Sequence, residues 1–176
     1  MAQPAGAERM SKLHQLKWDQ RAGAATNARR ELPHLAASYF AQVRALLAGD
    51  PSPAKLHRIR LLTKRLRYTL ELFRPCYGPG LEARLAALRR IQQLLGEVND
   101  STAAGRVLSE SMSTASPQRA RVLRYLEERA AVKSQEFRKD WAEVFDAPGQ
   151  ERWWTTYLAR HARTPGRREN PVLDEQ

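Results

Sequence analysis

The sequence lacks the features that mark several common classes of protein. Cys76 is the single cysteine among 176 residues, so neither an internal disulfide nor a thiolate metal cluster is predicted. Mean hydropathy is −0.63, and no apolar run approaches the roughly 20 residues of a membrane span. The first residues contain no apolar stretch of the kind found in secretory signals. We therefore expect a cytoplasmic protein with no membrane contact.

The motifs of common catalytic and metal sites are also missing. The sequence has no glycine-rich phosphate loop, no recognisable Ser/His/Asp set and no paired carboxylates beside its basic residues. His14, His34 and His161 are not spaced to join in a zinc site. We expect a protein that is not an enzyme, with no catalytic residues, no metal and no other cofactor.

Acidic residues are scarce relative to basic ones. The chain has 30 Lys and Arg against 19 Asp and Glu, a formal net charge of +11. Such an excess suggests a polyanionic partner. Residues 53–75 alone contain seven Lys or Arg and one acid, Glu71, which general compositional bias does not explain. The distribution of charge therefore points to one basic segment.

The apolar residues follow helical spacing, and no stretch alternates as a strand would. We predict an all-α fold, a bundle of about five to six helices with short connections. The domain division is a mobile segment over 1–26, a helical domain over 27–163 and a disordered tail over 164–176. A short helix is expected over 11–21. The main helices are expected at 33–49 (A), 53–73 (B), 81–98 (C), 101–112 (D), 117–145 (E) and 150–163 (F), with Pro33 in the first turn of A, Ser52 capping B, and Asn99 or Asp100 capping D.

Helix B combines two apolar faces with two cationic strips, as its 100° turn per residue shows. The broad apolar face holds Leu56, Ile59, Leu62, Leu66, Leu70 and Phe73. Leu61, Tyr68 and Leu72 lie roughly opposite. The inner strip contains His57, Arg60, Lys64 and Arg67, followed by Glu71, and the second strip contains Arg58 and Arg65.

These narrow cationic strips differ from an ordinary solvated helix face, which mixes acids and bases in one broad arc. Like charges one turn apart, such as Arg60 and Lys64, destabilise a helix unless an anion compensates them. Phosphate oxygens suit this role because Arg offers them a planar donor fork and Lys a compact charge. We favour phosphate binding over a plain charged surface. Arg89 of helix C is an additional candidate, and Arg44 and Arg90 are weaker ones.

Motifs in helices B and C resemble those of the CHAD domain, the conserved-histidine α-helical domain. They are His57-x-x-Arg60, then Lys64-Arg65-x-Arg67-Tyr68, and "LLGEVND" over 94–100. The resemblance is weaker in helices A and E and absent at both termini. It implies an all-helical fold that binds inorganic polyphosphate through basic side chains, here His57, Arg60, Lys64, Arg65 and Arg67. It also implies structural roles for Gly96 and Asp100.

The usual CHAD domain has two related repeats, each with a basic helix, whereas this sequence contains the His-x-x-Arg signature once. The chain resembles a single repeat, so we expect two chains to associate as a homodimer with two basic walls. The predicted function is a binding module for inorganic polyphosphate, with targeting to polyphosphate granules as a further expectation. One alternative is a nonspecific RNA- or DNA-binding protein, and nucleic acid is in any case a possible competitor for the polyphosphate site. The other alternative is a structural adaptor for an acidic partner protein.

Overall fold

The computed structural model describes residues 14–111 and 117–164. All regular structure in these ranges is helical, which confirms the predicted all-α class. The helices are α1 (Ala24–Leu47), α2 (Pro53–Leu72), the four-residue α3 (Arg74–Tyr77), α4 (Glu82–Ser111), α5 (Pro117–Asp140) and α6 (Gln150–Arg160). A 3-10 turn (Gly78–Leu81) precedes α4, and a π-helical segment (Trp141–Phe145) continues α5. The tail predicted at 164–176 lies outside the described residues apart from Thr164.

Helix α1 starts earlier than predicted, and Pro33 lies inside it rather than in its first turn. The residues before the proline continue the buried stripe, with Ala25, Ala28 and Leu32 all in the core. Their burial favours a longer helix despite the hydrogen bond that an internal proline removes. The predicted start of this helix is therefore wrong, because it was based only on the preference of proline for the first turn of a helix.

The residues before α1 are bonded to its first turns. Asn27 Nδ2 donates to the carbonyl of Asp19 at 2.9 Å, and Glu31 accepts from the Lys17 amide at 2.8 Å and lies 3.1 Å from His14 Nε2. The short helix predicted at 11–21 is wrong over its described part, because residues 14–19 have no regular structure. Side chains of α1 satisfy backbone groups that a helix would have used internally.

The limits of α2 confirm those predicted for helix B. Ser52 accepts a hydrogen bond from the Lys55 amide, Pro53 occupies the first turn, and the helix ends before Phe73. The broad apolar face is buried against α1 and α4. In contrast, Leu61, Tyr68 and Leu72 remain exposed by 46%, 47% and 79%. The second apolar face is therefore a surface ridge, which we call the α2 ridge.

The predicted helices C and D are one continuous helix, α4, so neither Asn99 nor Asp100 caps a helix. Val98 and Ser101 are buried and carry the packed face through the predicted break. The polar side chains there have other partners: Asn99 meets α2, and Thr102 donates to the Val98 carbonyl at 2.9 Å. Polar residues that favour caps are compatible with a helix interior when they are satisfied in this way.

The core continues from α1 to the end of α5 and to α6. An aromatic cluster joins these elements with ring centroids 5.0–6.2 Å apart, and it consists of Tyr39, Phe40, Trp141, Phe145 and Trp154. None of the helices in the described ranges has the length and hydropathy needed to cross a membrane.

Candidate functional site

The inner strip of α2 runs along α4. His57 Nδ1 lies 2.8 Å from Asn99 Oδ1 on α4. One turn further along α2, Arg60 lies over Gly96, where an added Cβ would sit 4.0 Å from Arg60 Nε. Because the two helices run in opposite directions, successive turns of the strip meet successive earlier turns of α4. Gly96 therefore leaves room for the stem of Arg60 between the helices.

One end of the strip is partly neutralised. Arg67 donates to Glu71 Oε1 at 2.8 Å, and Arg89 of α4 lies 3.7 Å from the same oxygen. Arg89 also donates to Glu82 at 2.8 Å, and this bond raises the pKa of Arg89. The structure thus brings Arg89 to the strip, as the sequence suggested, but with two carboxylates beside it. These two arginines have less free charge to offer a ligand.

The middle of the strip has no such partners. Within the described ranges, neither Arg60 nor Lys64 forms an ion pair with a carboxylate. Arg60 Nε is buried and has no hydrogen-bond acceptor in the described part of the protein. The Lys64 ammonium lies 5.8 Å from the Tyr68 ring centroid, a distance typical of a cation–π contact. A buried donor without an acceptor is costly, so an anionic oxygen here would be stabilising.

The second strip lies on the other side of the α2 ridge. Arg65 is exposed, Arg58 is half-exposed, and neither has a carboxylate partner among the described residues. The ridge therefore separates these two cations from the inner strip. The predicted phosphate-binding residues of α2 therefore form two groups. The inner strip lies along α4, and Arg58 and Arg65 lie on the opposite side of α2.

Two α4 residues beside the strip were not predicted as site residues. Asn99 was expected to be a helix cap, yet it orients the His57 ring. Gln92 Oε1 is buried without a hydrogen-bond donor in the described chain. Their spacing with Gly96, at 92, 96 and 99, is the signal that would have placed all three on one helix face.

A groove of about 390 Å³ extends the strip past the start of α2. His57, Asn99, Thr102 and Arg106 contribute its polar groups, and apolar side chains of α2 and α4 form the rest of the wall. Arg106 is exposed. It is a further cation in line with the inner strip, one that the basic cluster at 53–75 did not include.

The weaker candidates lie elsewhere. Arg44 bonds Asp146 and Glu151 between α1 and α6, and Arg90 donates to Asp140 of α5 at 2.7 Å. Both are structural links rather than parts of the strip. Among the described residues, no three His, Cys, Asp or Glu side chains are grouped as a metal site.

Comparison with known protein families identifies a match over more than half of the chain. The family model described as the CHAD domain matches residues 5–109, which include α1, α2 and nearly all of α4. The match reaches further toward the N-terminus than the resemblance found in the motifs, and it stops before α5. No curated protein and no solved structure gives a significant match.

Proposed function

Because this chain belongs to the CHAD domain family, we propose that it binds inorganic polyphosphate and that the inner strip holds the polymer. The observation that carries this proposal is the unpaired centre of the strip, Arg60 and Lys64. Each contributes a cation that no described carboxylate neutralises. Each can donate to phosphate oxygens, Arg60 as a fork and Lys64 as a point charge.

The strip suits an extended anion better than a compact one. His57 to Arg67 spans ten residues of helix, which is about 15 Å at 1.5 Å per residue. A chain laid along this row would meet a basic side chain at each turn, and Arg106 and Arg89 would prolong the row at its two ends. Longer polymers should therefore bind more tightly than short ones.

We further propose a role in binding rather than in catalysis, in the cytoplasm, with recruitment to polyphosphate granules. Counterion release from the polymer would supply much of the binding free energy. Since this chain contributes one His-x-x-Arg strip, we propose that two chains associate so that a polymer can contact two strips.

The test is polyphosphate affinity for Arg60→Glu/Lys64→Glu against a variant with the same change in net charge. Arg152→Glu/Arg160→Glu is the matched control, because both arginines are exposed on α6, away from the strip. We expect the strip variant to lose about 100-fold or more in affinity, as reversed charges repel phosphate, and the control to lose little. Circular dichroism would establish that both are folded. Equal losses in the two variants would refute the site.

Competition separates polyphosphate from the nucleic-acid alternative. Polyphosphate of matched charge should displace single-stranded RNA or DNA at low concentration, and the reverse order would favour a nucleic-acid protein. A folded wild-type chain that binds neither polymer would instead support an adaptor for an acidic protein.

A further inference from the structure

The last ten residues of α4 and most of α5 form a two-helix layer in which no residue is fully buried. None of the residues 102–111 or 117–136 is buried, whereas the earlier part of α4, and Phe137 near the end of α5, enter the core. The two helices touch through contacts such as Leu123 against Gly105, where an added Cβ would lie 3.9 Å from the Leu123 side chain. Helices gain most of their stability from covered apolar faces. This layer is therefore a candidate for a further contact.

An exposed apolar stripe runs along the solvent side of α5. Val122, Tyr125 and Val132 are exposed by 45%, 57% and 51%. With Arg129 they fall at 122, 125, 129 and 132, the three–four spacing of a helix–helix seam. Arg129 does not add a free charge to the stripe, since it lies 3.6 Å from Glu97 and donates to the Tyr125 hydroxyl. We call these four residues the α5 stripe.

The charges beside the α5 stripe indicate what covers it. Arg121 and Glu128 are seven residues apart, so they occupy the same edge of the stripe, two turns from each other. Both are exposed, and neither has an ion pair within the described ranges. In an antiparallel pair of helices, residues on the same edge face each other. Two copies of α5 packed in this way would set Arg121 of each against Glu128 of the other.

We propose that the α5 stripe is the surface through which two copies of this chain associate, with α5 antiparallel to its counterpart across a two-fold axis close to Tyr125. The self-complementary pattern selects a second copy over an unrelated partner, because the same edge supplies both charges. In a parallel arrangement, Arg121 of one copy would not lie opposite Glu128 of the other, so neither ion pair would form. This inference rests on the proposed association of chains and assigns it to a surface distinct from the inner strip.

Sedimentation equilibrium of the full chain and its variants tests the proposal. We expect a wild-type dimer, and a Tyr125→Glu variant whose dimer dissociation constant is raised by about tenfold or more, since burying a carboxylate in an apolar seam is costly. Val144→Glu is the matched control, because Val144 is 63% exposed outside the stripe, and it should leave the dimer intact. Arg121→Glu alone should weaken the dimer by about two- to fivefold.

The charge-swap variant is the most specific test of the antiparallel arrangement. Arg121→Glu/Glu128→Arg should restore the wild-type dissociation constant, since the antiparallel pair is then inverted but intact. A monomeric wild type at the highest concentration tested, a dimer unaffected by Tyr125→Glu, or a swap that fails to rescue Arg121→Glu would each overturn the proposal. Polyphosphate affinity measured on the same folded variants reports separately on the inner strip, so loss of dimerisation and loss of binding are distinguishable.

Discussion

Arg44 and Arg60 lie in two regions of the molecule that use arginine in opposite ways. At the α1–α6 boundary, Arg44 bonds both Asp146 and Glu151, and the hydrogen bond that Arg44 donates to Asp146 raises the pKa of Arg44. Along α2 and α4, Arg60 has no carboxylate partner in the described chain, and its Nε is buried. The position of the acids therefore distinguishes an arginine that joins helices from one that can receive a ligand.

Salt should produce the largest contrast between the two regions. If Arg60, Lys64 and Arg106 each neutralise one phosphate, and the polymer behaves as a single strand of nucleic acid, affinity should fall about 20-fold between roughly 50 and 200 mM salt. The Arg60→Gln/Lys64→Gln variant should show a flatter dependence, whereas Arg44→Leu should keep the wild-type slope. Titration at several salt concentrations measures this. A flat wild-type profile would contradict binding through charge.

Replacing Arg44 should lower the stability of the fold without changing polyphosphate affinity. Arg44→Leu leaves the carboxylates of Asp146 and Glu151 unpaired, and we expect the free energy of unfolding to fall by about 1–2 kcal/mol. Arg60→Leu should change stability less and reduce polyphosphate affinity. Urea denaturation and binding assays on both variants test the contrast. Reduced polyphosphate affinity of the folded Arg44→Leu variant would contradict it.

Acid should weaken the attachment of the residues before α1 to that helix, through Glu31. The Lys17 amide, together with His14 and Arg30, lowers the pKa of Glu31 from 4.5 to about 2, despite partial burial. A lowered pKa means that the folded state favours the carboxylate, so the stability from Glu31 is complete above pH 4.5 and is lost as pH falls toward 2. Thermal unfolding of wild type and Glu31→Gln should differ at pH 7 and converge in this window. A constant difference across pH would refute the assignment.

The smallest effects should come from the glycines of α4. Gly96→Ala places a Cβ at ordinary contact distance from Arg60, so it should raise stability by about 0.5–1 kcal/mol and leave affinity nearly unchanged. Gly105→Ala is the matched control away from the strip, with a similar stability gain expected. A marked loss of affinity in Gly96→Ala alone would show that the polymer approaches the α4 backbone itself.

The positions of many helices could be predicted from the sequence because the signals that specify them are local. Ser52, Pro53 and the leucines of α2 specify a cap, a first turn and a buried face within one segment. The failures at Pro33 and at Asn99 share a cause: each residue type favours a helix end, yet its neighbours in space stabilise a helix interior. Burial of Leu32 and the Asn99–His57 contact are nonlocal. Turn preference could not predict either one.

The sequence by itself determined the all-α class, the limits of α2 and the arrangement of its cations into two strips, because helical periodicity assigns each residue to a face. Only the tertiary structure decided which cations are neutralised. Asp146, Glu151 and Asp140 are distant in sequence from Arg44 and Arg90, yet folding places them in contact. No comparable carboxylate of the described chain reaches Arg60 or Lys64. Charge pairing depends on distances of a few ångströms across the fold, and those distances are set by how the helices pack.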